Sequence, residues 1–387
     1  MNSRRDGKTH RRAIVILGGI LPTVMSAADV ADTINTLSSS FSISIVTNAP
    51  VECSEIFPRA KIIRLPVIPM RGRILAFCAE CWFILPFLRG DLIYVAGTEY
   101  APAVTMNIRR PVLCYGNSNP IQHVLNTKRK GGPLSGLLSR INGLGMSIGL
   151  RRCDMILAIS PQLREVYTSL GIPPSRIRAI TLGVPLDDYD PTGKRKPDTD
   201  ARVWEGVYHG TVSKDRGLEI MVDGARILAS QRQDFRIKLV GCRPTQEKMV
   251  RELAMKAGIQ NLFEILPPVP HKDIPAALWS ADFGISLLEP NAYFATSPPV
   301  KVLEFLAAGL PVIANSIATH SLYLEDGVNA LIITYDAKSF ADAMNTLMGD
   351  SNLRRRLSGN ALKSAQRFSD QSTHRMFVDS ALELVRG

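Results

Sequence analysis

The chain has 387 residues, of which 45% are hydrophobic and 21% charged, a balance that excludes a disordered protein. That length is long for one core and comfortable for two domains. The net charge of +11 sits mostly in front: residues 1–190 hold 22 Lys/Arg against 13 Asp/Glu, whereas residues 191–387 hold 24 against 22. Such a bias fits an anionic partner surface, and the absence of any helix-turn-helix, finger or RNA-recognition pattern argues against nucleic acid.

The chain opens with basic MNSRRDGKTHRR and apolar AIVILGGILPTVMSAA, which imitates a secretory signal. Cleavage near Ala27 would remove AIVILGG (13–19), the one candidate for a first strand and its glycine turn, Gly18 and Gly19, so the strand reading is preferred. Thereafter a helix over 26–38 leads to SISIVTN (42–48), KIIRLP (61–66), DLIYVAG (91–97), PVLCYG (111–116) and DMILAIS (154–160). Short β-branched runs alternating with helical stretches predict an α/β domain with a parallel sheet. The six cysteines, 53, 78, 81, 114, 153 and 242, fall mostly in apolar runs and read as reduced core residues of a cytoplasmic protein. Cys78-x-x-Cys81 lies on an apolar helix with no second pair, which reads as packing and not as metal or redox chemistry.

The segment RGRILAFCAECWFILPFLRG (71–90) lacks the polar outer face expected of a crossover helix: Glu80 is the one charge between Arg73 and Arg89. The stretch between those arginines spans about 22 Å, short of the roughly 30 Å needed to cross a bilayer. An interfacial position suits it, with Trp82, Phe83 and Phe87 in the headgroup boundary. Arg71, Arg73 and Arg89, together with Lys128, Arg129 and Lys130, would then meet anionic lipid. The competing reading is an ordinary core helix.

RIRAITLGV runs into DDYDPTGKRKPDTDARV, where proline, glycine and charge replace apolar periodicity. A linker over 189–202 therefore separates a first domain (1–188) from a second (203–366), and residues 367–387 form a helix expected to pack back on the first domain. The second half repeats the alternation from EGVYHG (205–210) through FRIKLVG, LFEILPPV, ADFGISLL, LPVIANS and NALIIT. Two doubly wound sheets facing one another would gather glycine turns and helix N-termini around a central cleft, where phosphates bind.

HGTVSKDRGLE reads as strand, turn and helix, bringing Gly210, Lys214 and Arg216 to free backbone amides. Cations so placed suit a diphosphate leaving group without a metal. SPPVKVLEFLAAGLPVIANS puts Ser297 ahead of a proline pair and Lys301 and Glu304 at i, i+3, where a carboxylate can accept from a ribose diol. The D-x-D spacings Asp188-Tyr189-Asp190 and Asp198-Thr199-Asp200 fall in the linker, so no metal is predicted.

These stretches resemble glycosyltransferase family 4, whose members are retaining enzymes of the GT-B fold, two Rossmann-like domains facing a cleft. The resemblance covers nearly everything after residue 90 and is strongest over 153–188 and 205–334. CDMILAISPQLREVYTSLGIPPSRIRAITLGVPLDDY looks like the family's lead-in to the linker, and YHGTVSKDRGLE resembles its basic phosphate loop, with Arg216 where Lys is usual and Lys214 as a nearby second cation. KVLEFLAAGLPVIA resembles the helix bearing the second glutamate of E-x7-E, so Glu304 would hold the ribose. Thr296 stands where the first glutamate belongs, and Glu289 lies too far upstream to replace it without a loop. The histidine often found after PVLCYG is absent, with Asn117 and Asn119 there instead as acceptor-side residues.

What the resemblance implies is a cytoplasmic, metal-independent, retaining hexosyltransferase with no cofactor, in which Lys214 and Arg216 stabilise the departing diphosphate. The donor is a nucleotide sugar, the acceptor a saccharide or lipid-linked sugar in cell-surface polysaccharide or glycolipid synthesis, and peripheral membrane contact is expected at the inner face. Two alternatives stay open: a sugar-nucleotide epimerase on the same scaffold, and a non-catalytic nucleotide-sugar-binding subunit, favoured by the missing first glutamate.

Overall fold

The computed structural model describes residues 11–18, 25–49, 56–66, 73–107, 109–121, 133–194 and 203–386. They form two compact units: residues 1–180 with 374–387, and residues 181–373. Of the residues singled out from the sequence, Gly19, Cys53, Arg71, Lys128, Arg129, Lys130, Asp198, Thr199 and Asp200 lie outside the described residues, as does the side chain of Arg73.

In the first unit, β1 (Arg12–Ile16), β2 (Ser42–Thr47), β3 (Lys61–Arg64), β4 (Leu92–Val95), β5 (Val112–Gly116), β6 (Met155–Ala158) and β7 (Ile177–Ala179) form one parallel sheet in the order β3-β2-β1-β4-β5-β6-β7. Helices α1 (Met25–Leu37), α2 (Arg73–Ile84), α3 (Pro133–Arg151) and α4 (Pro161–Ser169) supply crossovers. Strands β4, β5 and β6 are buried throughout, which is why they are unbroken apolar runs and not alternating ones. Ser160 caps α4 by accepting from Leu163 N at 3.0 Å. Between β4 and β5 the chain makes a 3-10 stretch, Thr98–Val104, and α3 closes onto it through Gly149, where a Cβ would lie 2.1 Å from Ala101 O.

The second unit holds β8 (Trp204–His209), β9 (Phe235–Val240), β10 (Phe263–Leu266), β11 (Phe283–Ser286), β12 (Val312–Asn315) and β13 (Ala330–Ile333), all parallel, in the order β10-β9-β8-β11-β12-β13. Its helices are α5 (Leu218–Ala229), α6 (Pro244–Lys256), α7 (Ile274–Trp279), α8 (Val300–Ala307), α9 (Ala337–Gly349) and α10 (Ser351–Ala365). The core gathers Trp204, Tyr208, Phe235, Phe283 and Phe340 with aliphatic residues of β9, α5 and α9. The final helix α11 (Asp370–Leu384) belongs to the first unit from residue 374 onward, and its Phe377 ring packs edge-on to Tyr94 and at a tilt to Tyr115.

In each sheet the order reverses direction beside the first strand, β1/β4 in one unit and β8/β11 in the other. A crevice opens at such a switch point beyond the strand C-termini.

Candidate functional site

At the second unit's switch point, β8 ends in His209 and Gly210 (φ 98°), and a 3-10 turn over Lys214–Arg216 follows. Gly217 ends that turn at φ 74° and starts α5, and a Cβ there would meet Leu287 Cβ at 2.4 Å, so the turn presses directly on the end of β11. Ser213 Oγ donates to the Asp215 carboxylate, and Glu289 N donates to Asp215 O at 2.8 Å, tethering the basic turn to the loop after β11. Asn315, at the end of β12, accepts from Leu288 N at 2.8 Å and donates to Leu288 O at 2.9 Å, which fixes the same loop from its other side.

Two cations converge on Tyr208. The Lys301 ammonium lies 3.5 Å from its ring centroid, and Arg216 sits beside the phenol, opposing the burial that pushes the Tyr208 pKa up. The Arg216 guanidinium also lies 5.2 Å from the Phe294 ring. Lys301 is 5% exposed, and its Nζ has no hydrogen-bond partner among the described residues. Burial first, and then the Arg216 charge, draws its pKa well below the ordinary lysine value, with Glu304 pulling partly the other way. Burying an ammonium is costly unless an anion meets it.

The structure does not bring Lys214 into this pair, which corrects the sequence-based expectation that it would act with Arg216. Its side chain is 68% exposed, and its Nζ is 2.6 Å from Glu219 Oε1 on the next turn of chain. Thr296 offers no replacement for a carboxylate, since its hydroxyl donates to the carbonyls of Ala292 (3.3 Å) and Tyr293 (3.1 Å). Ser297 Oγ is buried without a partner among the described residues.

Glu304, expected to hold the ribose, is 1% exposed. Its Oε1 accepts from Tyr189 OH at 2.8 Å and lies 2.8 Å from His271 Nε2, while Oε2 is 3.0 Å from His209 Nε2. Burial works against its charge, but His209 and His271 prevail and hold its pKa below the usual carboxylate range. Of the three partners only the His271 side chain, at 36%, has substantial exposure. Tyr189 therefore belongs to this network, while Asp190 accepts from Thr192 N and Oγ1 at 3.0 and 2.7 Å. Among the described residues, no group of three or more His, Cys, Asp and Glu side chains is placed to hold a metal ion.

Sequence reasoning missed Tyr189, His209 and His271. The one available signal was a histidine closing an apolar strand run, EGVYHG, directly before glycine.

In the first unit, Gly18 closes against Tyr100, whose ring would lie 2.2 Å from a Cβ there. Asn117 Oδ1 accepts from Thr98 N (3.1 Å) and Oγ1 (3.3 Å), whereas Asn119 is 5% exposed and accepts from Ile121 N at 3.0 Å. Asn119 thus serves local structure. On α2, Phe77, Cys78 and Cys81 face the core, while Phe83 (75%) and, beyond the helix, Phe87 (86%) are exposed, as is Arg89. Trp82 is 38% exposed, and its indole N–H donates to Pro102 O at 2.9 Å. Burial raises the Cys78 pKa to about 12, and the five described cysteines are free and buried.

The comparisons agree with this architecture. A family model described as Glycosyltransferase Family 4 matches residues 33–188, and one described as Glycosyl transferases group 1 matches residues 205–350. D-inositol 3-phosphate glycosyltransferase of Corynebacterium urealyticum is 23% identical over 58% of this chain and 55% of its own length. That of Pseudarthrobacter chlorophenolicus is 26% identical over 52% of this chain and 48% of its own. The chain thus spans about half the length of the curated relatives it matches. Among solved structures, HepE of Anabaena in complex with UDP-glucose aligns over 97% of this chain and 100% of its own, with TM-score 0.75 and 16% identity. Sucrose-phosphate synthase of Thermosynechococcus elongatus aligns over 97% and 99%, with TM-score 0.76 and 15% identity. With two family models in tandem over residues 33–188 and 205–350, the chain belongs to the GT-B glycosyltransferases of the family 4 type.

Proposed function

We propose that the chain transfers a sugar from a nucleoside-diphosphate sugar to a saccharide or lipid-linked acceptor, with retention of configuration, in cell-surface glycan or glycolipid synthesis. The observation that carries this is the buried ammonium of Lys301, without a hydrogen-bond partner among the described residues and beside Arg216 at a switch point, an arrangement that a diphosphate would complete. HepE, the neighbour of similar fold, holds UDP-glucose. Arg216 and Lys301 stabilise the charge that develops as the sugar leaves, and the leaving diphosphate oxygen takes the proton of the acceptor hydroxyl. In this reading Gly210 and Ser297 contribute to the donor site, and Glu304 holds the ribose. The buried free thiols of the described cysteines suit the expected cytoplasmic location.

Phe83, Phe87 and Arg89 give α2 and its extension an exposed apolar edge with an adjacent cation, which suits peripheral contact with an anionic membrane. No helix among the described residues is long and apolar enough to cross one.

A binding-only role is the second reading, favoured because the Thr296 hydroxyl already serves backbone carbonyls where the family's first glutamate belongs. Incubation with UDP-, GDP- and ADP-sugars, followed by proton NMR, separates the two. Sugar released or transferred with its original anomeric configuration is the expected result. Binding with no turnover for any donor favours the subunit, and an isomerised sugar nucleotide indicates epimerase chemistry.

A further inference from the structure

Glu99 is a half-buried carboxyl at the switch point of the first unit, and nothing in the donor site uses it. It follows β4 in the first unit, directly after Thr98, and its carboxyl folds back over Gly97: a Cβ there would lie 2.9 Å from Glu99 Oε2. Gly97 has φ 145°, a conformation other residues avoid, so the missing side chain leaves the cradle the carboxyl fills. Beside it, Gly18 at the end of β1 packs on Tyr100.

The titratable groups facing the carboxyl are Cys78 from α2, Cys114 from β5 and Tyr167 from α4, all of which feel its charge. No cation among the described residues pairs with it. Burial raises its pKa to about 7, opposed by its own backbone N–H. The residue as a whole remains half-buried and not sealed.

The neighbouring strand end is held rigidly. Asn117 accepts both Thr98 bonds through Oδ1, Tyr167 OH lies 3.1 Å from Thr98 Oγ1 and donates to Ser118 O at 2.9 Å, and Ser118 Oγ is buried without a partner among the described residues. With its oxygen so occupied, Asn117 keeps its amide NH2 as a donor. A carboxyl that both accepts and donates near neutrality, on the residue after the one Asn117 holds, matches a hydroxyl. A phosphate there would face a carboxylate with no counter-cation.

We propose that Glu99, with Asn117 on the adjacent strand end, binds a neutral hydroxyl of the sugar acceptor and selects against a phosphate group at that point. This rests on the transferase reading, with the first unit as acceptor side.

The test follows the Glu99 carboxyl carbon by NMR in full-length protein labelled with 13C-glutamate, assigned by its absence in Glu99→Gln or, if that variant does not fold, Glu99→Asp. Glucose should move this signal at neutral pH, and glucose 6-phosphate at the same concentration should move it severalfold less. No movement with glucose, or equal movement with both, overturns the proposal. UDP titrated into the same samples keeps the two readings apart. A wild type that fails to bind UDP sinks the donor site, whereas UDP binding alike in wild type and variant leaves it standing whatever Glu99 does.

Discussion

Replacing Lys301 with Met should make the protein more stable and worse at binding. Met keeps most of the side-chain volume under Tyr208 but removes an ammonium that is 5% exposed and has no hydrogen-bond partner among the described residues. Exchanging a buried charge for an apolar group of similar size is neutral to stabilising by about 1–4 kcal/mol. The lost cation–π contact with Tyr208 offsets about 0.5–2 kcal/mol of that. Affinity for UDP should fall about 10- to 100-fold, as expected for one charge-assisted contact of about 1.5–3 kcal/mol. At UDP 100 times the wild-type Kd, the wild type gains about 2.7 kcal/mol and Lys301→Met about 0.4–1.4, so the difference narrows or reverses. The pH dependence has a definite sign. The folded-state pKa of Lys301 lies below its unfolded value, so the cost of burying the charge is complete below the folded pKa and is relieved as pH rises toward about 10.4. The stability advantage of the variant should shrink over that window. Thermal and denaturant unfolding with and without UDP, alongside calorimetric titration, provide the readout. A variant that loses stability while keeping wild-type UDP affinity would refute the assignment and make Lys301 an ordinary packing residue.

Glu304→Gln should cost about 3–5 kcal/mol at pH 7, because it breaks a buried pairing with His209 and His271 while leaving both imidazoles in place. The Glu304 pKa is depressed in the fold, so its contribution is present above the unfolded value of about 4.3 and is lost as pH falls further. The gap between urea titrations of wild type and variant should therefore begin to narrow below about pH 4 and go on narrowing as pH falls toward the folded-state pKa. A gap independent of pH would show that the carboxylate charge contributes nothing. Phe83→Ser combined with Arg89→Glu should lower flotation with anionic vesicles and leave UDP binding unchanged. Equal flotation of the combined variant and wild type, or equal binding of neutral vesicles, would make α2 a plain crossover helix.

Most of the fold was legible because parallel strands covered on both faces are written as uninterrupted apolar runs: DLIYVAG contains β4 and DMILAIS contains β6. The 3-10 stretch Thr98–Val104 was not, since Pro102 and a positive-φ glycine carry no periodicity. In the candidate site, Arg216, Lys301 and Glu304 were singled out from local spacing within single segments. The partners of Glu304 escaped because Tyr189, His209 and His271 come from three separated stretches that only the tertiary fold assembles. Lys214 was overvalued for a related reason. Proximity to Arg216 along the chain said nothing about Glu219, one turn further on, which holds its ammonium at the surface.

Whether Arg216 and Lys301 form a diphosphate site is decided by a calorimetric ladder of nucleosides, monophosphates and diphosphates bearing uracil, guanine and adenine. For at least one base the diphosphate should bind about 10-fold or more tightly than the monophosphate, and Arg216→Ala should close most of that gap, consistent with a charge-assisted contact. Equal affinity for mono- and diphosphates with every base, or a gap unchanged in the folded Arg216→Ala protein, would contradict it.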